Sequence, residues 1–196
     1  MPKLASLFDY SGVWSKPYKN AGWEVIQIDL QLGQDILDQA IVTNLDGIII
    51  QPPCTDFANS GARWFAEKDE DGRTQYSISL VNRAMEWIDK NPSAWWVLEN
   101  PAGRIHKLVP RLGQPVFIFS PHEYGEKYRK TTWLWGTFTP PPKTTPMAPI
   151  LGIRPRQPDA WYSAVGGSSL ATKNYRSRTS EKFAKEFFKY NQGKEN

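Results

Sequence analysis

Residues 4–29 read LASLFDYSGVWSKPYKNAGWEVIQID. The apolar run Leu4 to Phe8 predicts a short buried strand, and it breaks at the turn-rich segment Asp9-Tyr10-Ser11-Gly12. Ser15 is placed to cap a helix from about Lys16 to Ala21; Pro17 is tolerated in its first turn, and Gly22 closes it. A second strand, Trp23 to Ile28, then ends on Asp29. The order of strand, glycine turn, helix, strand and acid is a βαβ unit, and it places a ribose-binding carboxylate near a glycine turn.

Working outward, the alternation continues. A helix is expected near 37–44, after Gly33-Gln34-Asp35-Ile36. Asp46 to Gln51 predicts a strand that delivers Pro52-Pro53-Cys54, and the polar stretch 55–73 predicts a long loop of the kind that often carries function. Ile78, Val81, Met85 and Ile88 recur at helical spacing within 74–90. Ser93 to Leu98, Pro115 to Phe119 and Thr131 to Trp135 predict further strands, and 179–190 a helix with Phe183, Phe187 and Phe188 on or near one face. The proline-rich stretch 139–160 predicts an irregular arm. Together these elements predict one α/β domain over 1–196, a Rossmann-like, mostly parallel sheet flanked by helices. Ligands of such sheets bind beyond the carboxyl ends of the strands, where Asp9–Gly12, Asp29, Cys54 and Glu99 all fall.

A chain of 196 residues with 40% apolar and 22% charged residues can bury a sizeable core. Its longest apolar stretches run only a few residues, too short to span a bilayer, and Met1-Pro2-Lys3-Leu4 leads into the first strand without a signal-peptide pattern. An intracellular, cytoplasmic location is the expectation. One cysteine allows no intramolecular disulfide, and no Cys/His cluster suggests a metal. The net charge of +4 points weakly to an anionic partner, and the cations cluster at Lys127, Arg129 and Lys130 and again between Lys173 and Lys189. Most of the nine Trp, eight Tyr and nine Phe are expected in the core, although aromatics beside cations also suit stacking on bases.

Leu7-Phe8-Asp9-Tyr10-Ser11-Gly12, Pro52-Pro53-Cys54, Glu99-Asn100-Pro101 and Tyr124-Gly125 with Arg129-Lys130 occur in that order. Together they resemble the DNA (cytosine-5)-methyltransferase family, of the compact sort found in phages, over roughly residues 4–136. A weaker echo lies at Arg176-Ser177-Arg178-Thr179. The resemblance implies S-adenosylmethionine as cofactor, DNA as partner and, for a phage-encoded chain, the host cytoplasm as location. It implies Cys54 as the nucleophile that adds to carbon 6 of cytosine, and Glu99 as the carboxyl group bonded to ring nitrogen 3 and the exocyclic amine. Arg129 is the best match for the arginine on the base carbonyl. Phe8, Asp9, Ser11 and Gly12, with Pro52, would lie along the cofactor. Asp29 would bind its ribose hydroxyls, and Asp35 and Ile36 would take its adenine. The family's target-recognition domain has only residues 137–170 to occupy, a proline-rich arm with Arg154, Arg156 and Trp161. That predicts a short site, dimerisation into a homodimer, or preference for single-stranded or distorted DNA.

Two other readings stand beside this one. Gln51-Pro52-Pro53-Cys54 also resembles the Pro-Pro-aromatic motif of amino-methyltransferases, with Gln51 accepting from the target amine. Alternatively, the chain is a degenerate methyltransferase fold that binds nucleic acid without catalysis, since fold does not imply function. The same chemistry acting on RNA or a nucleotide is also compatible with the sequence.

Overall fold

The computed structural model describes residues 1–145 and 169–193. Six strands form one sheet: β1 (Lys3–Leu7), β2 (Glu24–Ile28), β3 (Gly47–Ile50), β4 (Trp95–Pro101), β5 (Phe117–Phe119) and β6 (Thr132–Thr137). The helices are α1 (Lys16–Asn20), α2 (Phe65–Glu70), α3 (Arg73–Asp89), α4 (Ile105–Leu108), α5 (Leu170–Ser177) and α6 (Glu181–Asn191). The strand order is β2-β1-β3-β4-β6-β5. β2, β1, β3 and β4 run parallel, and β6 is antiparallel to both β4 and β5, so β5 points the same way as the first four. This is the Rossmann-like α/β sheet expected from the sequence.

Burial follows the pleat. Every residue of β3 is buried, as expected for a central parallel strand covered on both faces. Ile48 and Ile50 join Ala5, Leu7 and Leu98 in a layer with Val81, Ala84 and Met85 of α3. Ile49 faces the other way, into a layer with Leu4, Val97, and Phe183 and Phe187 of α6. Gly47 is needed at its position because a Cβ there would lie 2.2 Å from the Trp95 indole. Trp14, Trp87 and Trp135 are fully buried, so three of the tryptophans serve the core.

Phe183 is fully buried, stacks on Phe119 with ring centroids 3.9 Å apart, and meets Trp14 edge-on at 5.4 Å. Phe183→Ala is expected to cost about 3–5 kcal/mol. In a domain of this size that lowers Tm by roughly 6–20 °C, which thermal unfolding followed by circular dichroism measures.

Four expectations need correction. Ser15 does not cap α1 with its side chain; its hydroxyl donates to Asp9 Oδ2 at 2.9 Å. Residues 37–44 form turns rather than a helix. Carbonyls in and just before this segment are taken by side chains from α3 and its C-terminal end: Arg83 donates to Ile36 and Gln39, and Asn91 Nδ2 to Val42. Residues 55–73 are not one open loop but hold a 3-10 turn, Asn59–Trp64, and α2. Glu99 and Asn100 lie within β4 rather than past its end, because β6 continues the ladder to Pro101. Pro101 closes that strand opposite Thr132. Of the proline-rich arm, residues 146–168, including Arg154, Arg156 and Trp161, lie outside the described residues.

Candidate active site

Parallel strands bring their carboxyl ends to one edge, and a cavity of about 790 Å³ opens there. That volume is in the range of small-molecule sites, about 300–1,000 Å³. Phe8, Asp9 and Ser11 line it from the end of β1, Asp29, Asp35 and Ile36 from beyond β2, Pro52 and Cys54 from beyond β3, and Glu99 from β4. Gly12 and Arg129 are not among the lining residues.

The turn after β1 is held from inside. Asp9 is buried, and Ser6 and Ser15 donate to its Oδ2 at 2.7 and 2.9 Å. Its Oδ1 accepts from the Gly12 N–H at 2.7 Å and the Ser11 hydroxyl at 3.3 Å. Both oxygens are thus engaged within the chain, and the carboxylate shapes the turn. Gly12 adopts a φ of +64°, a conformation that favours glycine. Phe8, with φ +60°, takes up the same region without being glycine, a strained state that clusters at functional sites. The Phe8 and Asp9 N–H groups both donate to the Ile28 carbonyl, at 2.7 and 3.3 Å, which holds Phe8 in place.

Asp29 closes β2, and its Oδ1 accepts from the Gln31 N–H at 2.8 Å. Burial pushes its carboxyl above the usual range against the pull of the Gln31 N–H; Asp9 adds to the rise and the Tyr10 N–H opposes it. Asp35 Oδ1 accepts from the Leu37 N–H at 2.9 Å, and Ile36 beside it is buried. Gln34, which sequence reasoning missed, also lines the cavity, and its Oε1 is buried without a partner among the described residues. Its only sequence signal is its place between the β2 acid and Asp35.

Cys54 follows β3 across Pro52-Pro53 and is partly exposed. Asn100, fully buried, donates from Nδ2 to the Pro52 carbonyl at 3.2 Å and so ties β4 to the segment that aims the thiol. The ladder between β3 and β4 stops at Ile50 and Leu98, so Glu99 projects just past the end of β3, beside Cys54. Lys130 Nζ approaches Glu99 Oε1 to 3.6 Å. Because β6 is antiparallel, its beginning rather than its end lies at this edge, and the preceding segment delivers Lys130 and Thr131 to the cavity. Sequence reasoning chose Arg129; residues 125–131 have no periodicity that tells which neighbouring cation faces inward.

Burial pushes the Cys54 thiol above its usual pKa; Lys130 pulls it down, and Glu99 and Asp56 push it up. Thiolate therefore forms only as pH rises through and beyond the ordinary thiol range. Alkylation by iodoacetamide is expected to accelerate across pH 7–10 without reaching a plateau near neutrality. Lys130→Met, which removes the lowering charge, is expected to move that profile further to alkaline pH. Cys54 is the only cysteine, so incorporated label reads it directly.

A second contribution, present in the sequence only as the basic run from Lys173 and the echo at Arg176-Ser177-Arg178-Thr179, is the C-terminal strap across the mouth. On α5, Lys173, Asn174, Arg176 and Ser177 line the cavity. Asn174 and Gln31 exchange amide hydrogen bonds at 2.8 and 3.2 Å, and the Thr179 hydroxyl donates to Gln51 Oε1 at 2.5 Å. Among the described residues no group of His, Cys, Asp and Glu could hold a metal ion, and no helix is long and apolar enough to cross a membrane.

No family model matches the chain, and no curated protein does. Among solved structures it is similar to a candidate DNA modification methyltransferase encoded within an E. coli prophage, with 14% identity and a TM-score of 0.47. That similarity covers 70% of this chain and 47% of the other, so the chain spans about half the length of the protein it matches.

Proposed function

We propose that this chain transfers a methyl group from S-adenosylmethionine to carbon 5 of cytosine in DNA, through a covalent adduct with Cys54. The observation that carries the reading is the opening of Cys54, from beyond β3, and Glu99, from within the adjacent β4, into the same cavity as Asp29, Asp35 and Ile36. The cofactor half fits an adenosyl group. Asp29 supplies an acceptor for ribose hydroxyls at the end of β2, Ile36 an apolar wall, and Gln34 Oε1 a buried acceptor still lacking a donor, which an adenine amine provides. Phe8, Ser11 and Gly12 shape the turn that lets the methionine part approach, with Asp9 as its internal brace and Pro52 facing it from beyond β3. Bound there, S-adenosylmethionine supplies an electrophilic methyl group.

The chain's own residues do the rest. The Cys54 thiolate donates its electron pair to carbon 6 of cytosine, forming the S–C bond, while a proton shared between Glu99 and ring nitrogen 3 neutralises the charge that develops on the ring. Carbon 5, now enamine-like, would take the methyl group as its bond to the cofactor's sulfonium sulfur breaks, leaving S-adenosylhomocysteine. Loss of the carbon 5 proton to water then expels the sulfur as the thiolate, and the proton shared at ring nitrogen 3 returns to Glu99. Lys130, rather than Arg129, is the cation positioned to meet the base carbonyl. The target base must leave a duplex to enter the cavity, or come from a single strand. Lys130, Lys173 and Arg176 along the cavity support a polyanionic substrate. The amino-methyltransferase reading needs Gln51 Oε1 to accept from the target amine beside the Thr179 hydroxyl it already accepts from, and it leaves Cys54 without a role.

Incubation with labelled S-adenosylmethionine and a panel of duplex DNA, single-stranded DNA and RNA, followed by nucleoside mass spectrometry, tests the proposal. Label in 5-methylcytosine is the expected result. Label in an exocyclic N-methyl base, or none in any nucleic acid, overturns it.

A further inference from the structure

The segment after the nucleophile is clamped from below by buried charge. Cys54 O accepts from the N–H groups of Phe57 and Ala58 at 3.0 and 2.8 Å, closing a tight turn over residues 54–58. Lys68 of α2 is buried, and its Nζ donates to the Thr55 carbonyl at 2.5 Å and meets Asp56 Oδ1 at 3.0 Å. Asp56 is buried too, and the Ser77 hydroxyl of α3 donates to its Oδ2 at 2.6 Å. Arg104 completes the clamp: its Nε donates to Asp56 O at 3.0 Å and its backbone N–H to Phe57 O at 2.8 Å. Each carbonyl from Cys54 to Phe57 is thus held.

A buried ion pair contributes little net stability against an apolar pair of the same size, and breaking one side of it is costly. A pair directly behind a nucleophile therefore calls for another account. We propose that the Asp56–Lys68 pair is a positioning device for Cys54: Lys68 fixes the turn that aims the thiol and neutralises the carboxylate that would otherwise disfavour the thiolate. The role of the thiol as nucleophile rests on the methyltransferase reading; the hold of the pair on the thiol does not. The charged groups acting on Cys54 are Lys130 from the segment before β6, Glu99 from β4 and Asp56 from its own turn, with Lys68 of α2 and Arg104 behind Asp56. Asp56 raises the thiol's pKa, and the Lys68 ammonium 3.0 Å from Asp56 Oδ1 is placed to oppose that effect.

The test is the rate of iodoacetamide alkylation of Cys54 against pH in the full chain. Lys68→Met is expected to slow it about three- to tenfold at pH 8 and shift the profile to alkaline pH, because Asp56 loses its counter-charge. Asp56→Asn, which keeps Lys68 on the Thr55 carbonyl, is expected to speed it and shift the profile the other way. The double variant is expected to return to within about twofold of the parent. Opposite shifts of the two single variants cannot come from a general loosening of the fold, and Asp56→Asn alone decides the matter if Lys68→Met does not fold. Profiles superimposable on the parent's, or a double variant as slow as Lys68→Met, overturn the proposal. A parent that alkylates as expected but transfers no methyl group overturns the methyltransferase reading alone.

Discussion

Cys54→Ser is expected to reduce cytosine methylation at least about a thousandfold, to the limit of detection. A serine hydroxyl is not ionised at any pH at which the protein is folded, and no other thiol in the chain can substitute. The side chain is nearly isosteric, so binding of cofactor and DNA should persist. Nucleoside mass spectrometry after single-turnover incubation measures the loss, and titration calorimetry with S-adenosylmethionine measures the retained binding. The variant also discriminates between the two kinds of methyl transfer. Amine methylation needs no thiolate, so activity within about tenfold of the parent would assign the target atom to an exocyclic nitrogen.

Glu99→Gln is expected to move two measurements in opposite directions. Methylation should fall about a hundred- to a thousandfold, since the amide cannot share a proton with ring nitrogen 3. Alkylation of Cys54 should quicken, because Glu99 is one of the charges that push the thiol's pKa up. A misfolded or collapsed site would lower both rates or raise the thiol's general exposure without a change in pH profile. A variant that keeps full methylation would remove Glu99 from the chemistry.

The centre of the sheet was legible because Ile48-Ile49-Ile50 is a continuous β-branched run with no other comfortable environment than a strand covered on both faces. α3 was legible because seventeen residues give the helical period room to show. Residues 37–44 misled because the carbonyls of Ile36, Gln39 and Val42 find Arg83 and Asn91, partners more than forty residues away that no local pattern announces. The site divides in the same way. Residues that follow a strand end, such as Asp29 and Cys54, could be placed from the strand alone, whereas Glu99 falls inside β4 because β6 extends the ladder. Lys130, Gln34 and Asn174 depend on which way an irregular segment turns, and that is settled by tertiary contacts. Asp9 shows a further limit: its position could be read, but not that three serine hydroxyls and a backbone N–H already occupy its carboxylate.

The bond between Thr179 and Gln51 joins positions 128 residues apart. During synthesis at about 5–20 residues per second, roughly 6–26 seconds separate the emergence of the thiol's strand from that of the strap that covers its cavity. Over that interval the nascent chain carries the Cys54 thiol without its cover. The strap thus sets a clock on maturation: the cavity gains its cover only with α5, and a ribosome that stalls before α6 leaves the Leu4, Ile49 and Val97 face of the sheet without the phenylalanines that bury it.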